Sequence, residues 1–204
     1  MKVDLSTWER TQHYEIFRNY DQPQYCVSFE LDITHFLEMV RKQAYSFTFS
    51  FVFAVSRCAN QIEEFRCRFA EGEPVLYEQI HTAFTYLNQE TGLFKVVNVE
   101  MTDTLEEYVI SAAEKTAAQT EYFTGPMGND VFLFSAFPWI SYTHISHTDS
   151  GNRDNAVPLF DWGRYYEKDG KIMLPFSVQV HHSFVDGVHI GTLAERLQHD
   201  LHVI

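Results

Sequence analysis

Residues 177–187 read SVQVHHSFVDG, in which the second of two adjacent histidines stands four residues ahead of an aspartate. Neutral imidazole near pH 7 can take a proton from a hydroxyl, and a nearby carboxylate can orient the ring or balance the imidazolium that forms. Consecutive side chains of a strand leave on opposite faces, so at most one of His181 and His182 belongs to a buried site. Ile172, Leu174, Phe176, Val178 and Val180 are apolar at every second position, with Met173, Pro175, Ser177 and Gln179 between them. The even face is therefore expected to be buried, with His182 continuing it inward and His181 pointing with Gln179. Asp186, beside Gly187 at a strand-to-helix turn, has three roles open to it: a local hydrogen bond, the cap of the final helix, or the partner of a cation from elsewhere. Spacing does not choose among them, since Asp-Gly before a helix is commonly only a turn.

Several elements must position these residues. Ser6 and Glu9 have capping-box spacing, which predicts an N-terminal helix from near Thr7 carrying WERTQHYEIF. Residues 24–33 alternate as a strand. Phe36, Leu37, Val40 and Ala44 predict a helix over about 34–44, and Phe51, Val52, Val55, Cys58 and Ile62 a largely buried one after it. Residues 65–101 read as short strands broken by the turn chemistry of EGEP and NQETG. Thr104 should cap a helix running to roughly Phe123, with Gly125, Pro126, Met127 and Gly128 stopping it. Two strands are expected in VFLFSAFPWISYTH, then a polar loop at 152–155. Strands 157–167 and 171–182 should follow, joined by a Lys168-Asp169-Gly170 turn. The last helix should begin after Gly187 with a stripe of Ile190, Leu193, Leu197 and Leu201. Strands interrupted by helices, with no repeat and no βαβ period, predict an α+β fold: a mixed or mostly antiparallel sheet with packed helices, one domain over 1–204.

Composition narrows the function. A chain of 204 residues, 45% hydrophobic, is long enough for one sizeable core. No apolar run approaches the roughly 18 residues of a membrane span, and MKVDLSTWER lacks a signal-peptide stretch, so a cytoplasmic protein is expected. The net charge of -13 repels phosphate backbones and argues against nucleic acid, while leaving room for a small anionic ligand. Cys26, Cys58 and Cys67 show no CxxC pairing and read as buried free thiols. A metal site built from His181, His182, His189, His199 and His202 is not expected. The first two face apart, and of the rest only His199 and His202 share a helix face.

The longer stretch SVQVHHSFVDGVHIG, with a further histidine three positions after the aspartate, resembles the signature of the chloramphenicol acetyltransferases. The likeness runs through nearly the whole chain. Trp8-Glu9-Arg10 with His13 resembles the family's WxR…H segment, Asn88-Gln89-Glu90-Thr91 its QET turn, and FSAFPW, residues 134–139, its SALPW strand. The resemblance implies the CoA-dependent acyltransferase fold and a homotrimer with active sites between subunits. It also implies acetyl-CoA as co-substrate, without metal, and antibiotic resistance through O-acetylation of chloramphenicol. It makes His182 the general base and Ser135 the hydroxyl that stabilises the tetrahedral oxyanion. Asp186 becomes the partner of Arg10, in an ion pair that holds the active-site turn. These residue types suit the reaction: the attacking hydroxyl must lose its proton, the oxyanion needs a donor, and no enzyme nucleophile is required in a ternary complex.

The pattern is not matched everywhere. Ser183 and Val185 stand where the signature has Ala and Cys. Phe17 replaces a tyrosine of the first helix, and Asp161, placed by its spacing from both Ser135 and His182, replaces a threonine. Tyr25, Phe94 and His147 fall at other substrate-pocket positions. Chloramphenicol is thus the family's default acceptor. A different, amine-bearing acceptor and a non-catalytic trimeric CoA-binding homologue are the alternatives. The dihydrolipoamide acyltransferase core shares the implied fold, but a chain of this length without a lipoyl domain points away from that role.

Overall fold

Large apolar and small polar residues alternate along three central strands, which gives the sheet two chemically different faces. The computed structural model describes residues 1–89, 91–124, 128–148 and 151–203. Its seven-stranded sheet runs β1 (Gln24–Asp32), β9 (Lys171–His181), β7 (Leu159–Gly163), β6 (Val131–Phe137), β4 (His81–Leu87) and β5 (Phe94–Val99), with β8 (Tyr166–Lys168) also paired to β9. A separate hairpin joins β2 (Cys67–Ala70) to β3 (Glu73–Leu76). The pairs β4 with β6 and β6 with β7 are parallel and the others antiparallel, so the sheet is mixed. Neither parallel crossover is a bare helix. One passes through β5 and α4 (Leu105–Ala118) and the other through irregular chain, which is why no βαβ period shows in the sequence.

Helices α2 (Thr34–Lys42), α3 (Phe47–Asn60), α4 and α5 (Gly187–Val203) cover the apolar face. Phe51 of α3 sits edge-on to Trp162 and Phe176, at 5.3 and 5.6 Å between ring centroids, and Phe53 packs on Tyr108 of α4 at 5.5 Å. Wedged between sheet and helices, α3 is buried on most of its surface, as its apolar run predicts. On the opposite face Ser28, Ser177, Asp161 and Ser135 lie side by side across four strands. The chain after β6 folds back over this polar row. Gly163 allows it: a Cβ there would meet the Ile140 carbonyl oxygen at 2.8 Å and the Tyr142 ring at 3.1 Å.

The elements depart from expectation where tertiary contacts compete. Helix α1 spans only Thr11–Arg18, because the Ser6 hydroxyl and backbone N–H bond Asp4 Oδ1 in a local turn instead of capping. Helix α4 stops at Ala118 rather than near Phe123. Beyond it the Val96 N–H of edge strand β5 donates to the Tyr122 carbonyl, and the Gln119 amide donates to the Val96 carbonyl, so residues 119–122 satisfy the sheet edge. Only one strand, β6, forms in VFLFSAFPWISYTH, and the single strand expected over 157–167 divides into β7 and β8. Asp169 and Gly170, both at positive φ, turn β8 into β9. Gly125, Pro126 and Met127, expected to stop α4, and Glu90 of the QET-like turn lie outside the described residues. No helix among the described residues is long and apolar enough to cross a membrane.

Candidate active site

Strand β9 ends at His181, and 182–184 form a turn into α5, so the alternation that should carry His182 inward stops one residue short of it. The burial of the two histidines is the reverse of that expected. His181 does share the side of Gln179, but that side is covered at this end of the sheet: His181 is only 2% exposed, edge-on to Phe69 at 5.1 Å. Its Nε2 bonds the Arg153 carbonyl at 2.9 Å and its Nδ1 accepts from the Ser183 N–H at 3.1 Å. Burial pushes its pKa down to about 4, so this ring is neutral at pH 7 and has both nitrogens engaged.

His182 has one edge free. Its side chain is 34% exposed, and its ring lies flat on Phe17, 3.7 Å between centroids at 7°, with Tyr25 tilted against it at 4.7 Å. Nδ1 is buried 3.3 Å from Asp186 Oδ1, out of hydrogen-bond alignment, which leaves Nε2 as the nitrogen on the open edge. The Tyr25 hydroxyl donates to the Val185 carbonyl at 3.1 Å and so braces the turn.

Asp186 answers the question its spacing left open. Its Oδ2 accepts from Arg10 Nη1 at 2.6 Å, a partly buried pair linking the segment before α1 to the start of α5. Its own N–H donates to His189 Nδ1 at 2.8 Å, and the far side of that ring faces Glu64, 3.4 Å away. This bracing role of His189 was not anticipated. Its signal is the three-residue spacing from Asp186, which brings a helix's first turn back onto the residue before it. Arg10 beside it holds the Asp186 carboxyl below its ordinary range, outweighing the opposing effect of burial. The stability this pairing contributes is fully present above the unfolded carboxylate range near 4 and is lost as pH falls through the depressed value. Arg10→Ala should therefore cost about 1–3 kcal/mol at pH 7, shift the acid unfolding midpoint upward, and lower activity with it. A variant with unchanged urea and acid midpoints and full activity would exclude this role for the pair.

The remaining candidate residues gather elsewhere. Ser135, half-buried on β6, is the register partner of Asp161 on β7, which in turn pairs with Ser177 on β9. Asp161 is fully buried, and its Oδ2 lies 2.7 Å from His147 Nε2. Fourteen residues separate the two in sequence and no local pattern links them; the returning chain after β6 makes the pair. Burial pushes the Asp161 carboxyl up, and His147 pulls it back. Phe94 is on β5, at the opposite edge of the sheet from β1, tilted against Tyr122 at 5.3 Å between centroids. At about 3.3 Å per residue and 4.8 Å per strand, the Ser135 position lies roughly 16 Å from the end of β9. One chain therefore does not bring His182 and Ser135 to the same reacting carbonyl, nor Phe94 to either.

Family comparison adds what this geometry cannot. The family model described as chloramphenicol acetyltransferase matches residues 1–198. The chain belongs to the chloramphenicol acetyltransferase family. Among its curated relatives, the chloramphenicol acetyltransferase of Escherichia coli is 32% identical over 200 residues, covering 96% of this chain and 91% of the relative. That of Streptomyces acrimycini is 32% identical over 203 residues, with the same coverage. A solved chloramphenicol acetyltransferase superposes with a TM-score of 0.91 at 24% identity, covering 98% of this chain and 99% of that one. The cubic core of the pyruvate dehydrogenase multienzyme complex superposes at 0.67 with 16% identity, over 100% and 91%. These two likenesses establish the CoA-dependent acyltransferase fold. The two adjacent histidines are sorted by burial: His181 is a buried ring and His182 an open one. Among the described residues no three His, Cys, Asp or Glu side chains are grouped as a metal site.

Proposed function

We propose that this protein transfers the acetyl group of acetyl-CoA to a hydroxyl of chloramphenicol or a similar small acceptor, within a homotrimer of single-domain chains. His182 Nε2 takes the hydroxyl proton as oxygen attacks the thioester carbonyl. Nδ1, 3.3 Å from Asp186 Oδ1, carries the ring's other proton, and Arg10 holds that carboxylate in place. Ser135 donates to the developing oxyanion. The tetrahedral intermediate collapses with CoA thiolate as leaving group, and the imidazolium returns the proton to it.

The observation that carries this reading is the separation of Ser135 from His182 on one chain. A base and an oxyanion donor must both lie about 3 Å from one reacting centre, so a site built from these two residues needs His182 of one subunit facing Ser135 of another. Family membership and the open Nε2 edge of His182 support the same arrangement.

The test is thiol release from acetyl-CoA with chloramphenicol, followed by complementation. His182→Ala and Ser135→Ala proteins are each expected to be strongly impaired. Unfolded together in equal amounts and refolded as mixed trimers, they should recover activity at about a quarter of the sites, those that pair an intact His182 with an intact Ser135. A mixture no more active than its parents would place both residues' function within one chain and reject the interface site.

A further inference from the structure

Asp161 is a buried carboxylate without a matching cation. It is 0% exposed, its Oδ1 has no hydrogen-bond partner, and among the described residues no lysine or arginine forms an ion pair with it. An isolated carboxylate in such a place is costly, and most proteins neutralise one or pair it. Among the described residues its ion-pair partner is His147, which links it to the surface. That side chain is 19% exposed and lines a cleft of about 480 Å³ with Gln22, Gln24, Tyr25, Ser146 and Gln179. Among the described residues no lysine or arginine lines the cleft, whose other imidazole is that of His144. With Nε2 committed to Asp161, Nδ1 is the ring nitrogen left to meet a ligand. A carboxylate-bonded neutral imidazole offers that nitrogen as a hydrogen-bond acceptor, backed by the carboxylate's negative charge at low dielectric.

We infer that this cleft is an acceptor-specificity pocket for a cationic group, a primary or secondary ammonium that donates to His147 and is balanced by Asp161. The ammonium is a binding handle, and the acetylated hydroxyl lies elsewhere on the same molecule. This inference rests on the acetyl-transfer reading and narrows it to amine-bearing alcohols. Three features favour a cation over an anion: the uncompensated carboxylate, the amide and hydroxyl lining, and the chain's net charge of -13. Ser135, the register neighbour of Asp161, places the pocket beside the proposed oxyanion donor.

Two probes with the same pair of hydroxyls separate the possibilities: neutral chloramphenicol and the cationic aminodiol left when its dichloroacetyl group is removed. Binding to wild type, Asp161→Asn and His147→Gln is measured by calorimetry, alongside thiol release from acetyl-CoA. In either variant the Kd of the aminodiol relative to that of chloramphenicol should rise at least about tenfold, a loss of roughly 1.4 kcal/mol of selectivity. In wild type the aminodiol's Kd should also rise with salt. A ratio that stays within about twofold in both variants, or moves toward the aminodiol, overturns the cationic pocket. Absence of thiol release with either probe, while selectivity still responds to Asp161, would instead count against the acetyl-transfer reading and leave the pocket standing.

Discussion

His182→Ala is expected to reduce kcat/KM for acetyl transfer by roughly 10²–10⁴-fold, the usual contribution of a positioned general base, with little change in stability. The ring has no aligned side-chain hydrogen bond to lose. It rests on Phe17 and Tyr25 at a partly exposed position, and the backbone N–H bond of residue 182 to the Pro23 carbonyl survives the substitution. Acetyl-CoA binding should persist, since the ring's part is to move a proton. Thiol release at saturating acetyl-CoA, paired with a thermal melt, checks both halves. A variant that turns over at the wild-type rate would refute His182 as base. One that loses activity together with its fold would show the residue to be structural. His181→Ala should behave in the second way, because His181 is buried and bonds the Arg153 carbonyl and the Ser183 N–H, tying the loop before β7 to the active-site turn.

Arg68→Ala should be the most destabilising single change. This guanidinium is 0% exposed and, among the described residues, forms no ion pair; it donates instead to the carbonyls of Asn129, Phe65, Cys67 and Val131 at 2.8–3.1 Å. It thereby ties β2 to the start of β6. Burial pushes its pKa down to about 9, still well above neutrality, so the charge is kept and spread over four oxygens. Truncation leaves those buried acceptors unpaired at about 1–3 kcal/mol each, partly relieved by water entering the gap. A net loss of at least about 4 kcal/mol is expected, enough to lower the Tm of a chain this size by roughly 10 °C. Arg68→Lys should recover little, because a single ammonium cannot reproduce the planar fork that reaches several carbonyls at once. A melt within about 2 °C of wild type for Arg68→Ala would show that the carbonyls find other donors.

Local pattern alone determined much of this protein. Apolar spacing located α2, α3 and α5, and alternation located β1 and β9 to within a residue or two, because those segments bury one continuous stripe or face and need no distant partner to specify them. The motifs around Arg10, Ser135, His182 and Asp186 stood out through their resemblance to a known family, since each of these residues read alone has an ordinary structural role. What only the tertiary structure decided depends on which distant segment covers a face. Strand phase put His182 inside and His181 outside, yet the strand ends between them and the loop before β7 buries His181, a contact that period-2 reasoning cannot contain. The choice among roles for Asp186 needed Arg10, 176 residues away, to arrive at 2.6 Å. Asp161 and His147 were visible as separate polar residues, but their union depends on the chain after β6 crossing back over the sheet at Gly163. The split of His182 from Ser135 along the strands, which makes a second subunit necessary to the proposed chemistry, follows from sheet order. Sheet order is set by long-range pairing, which leaves no local trace in the sequence.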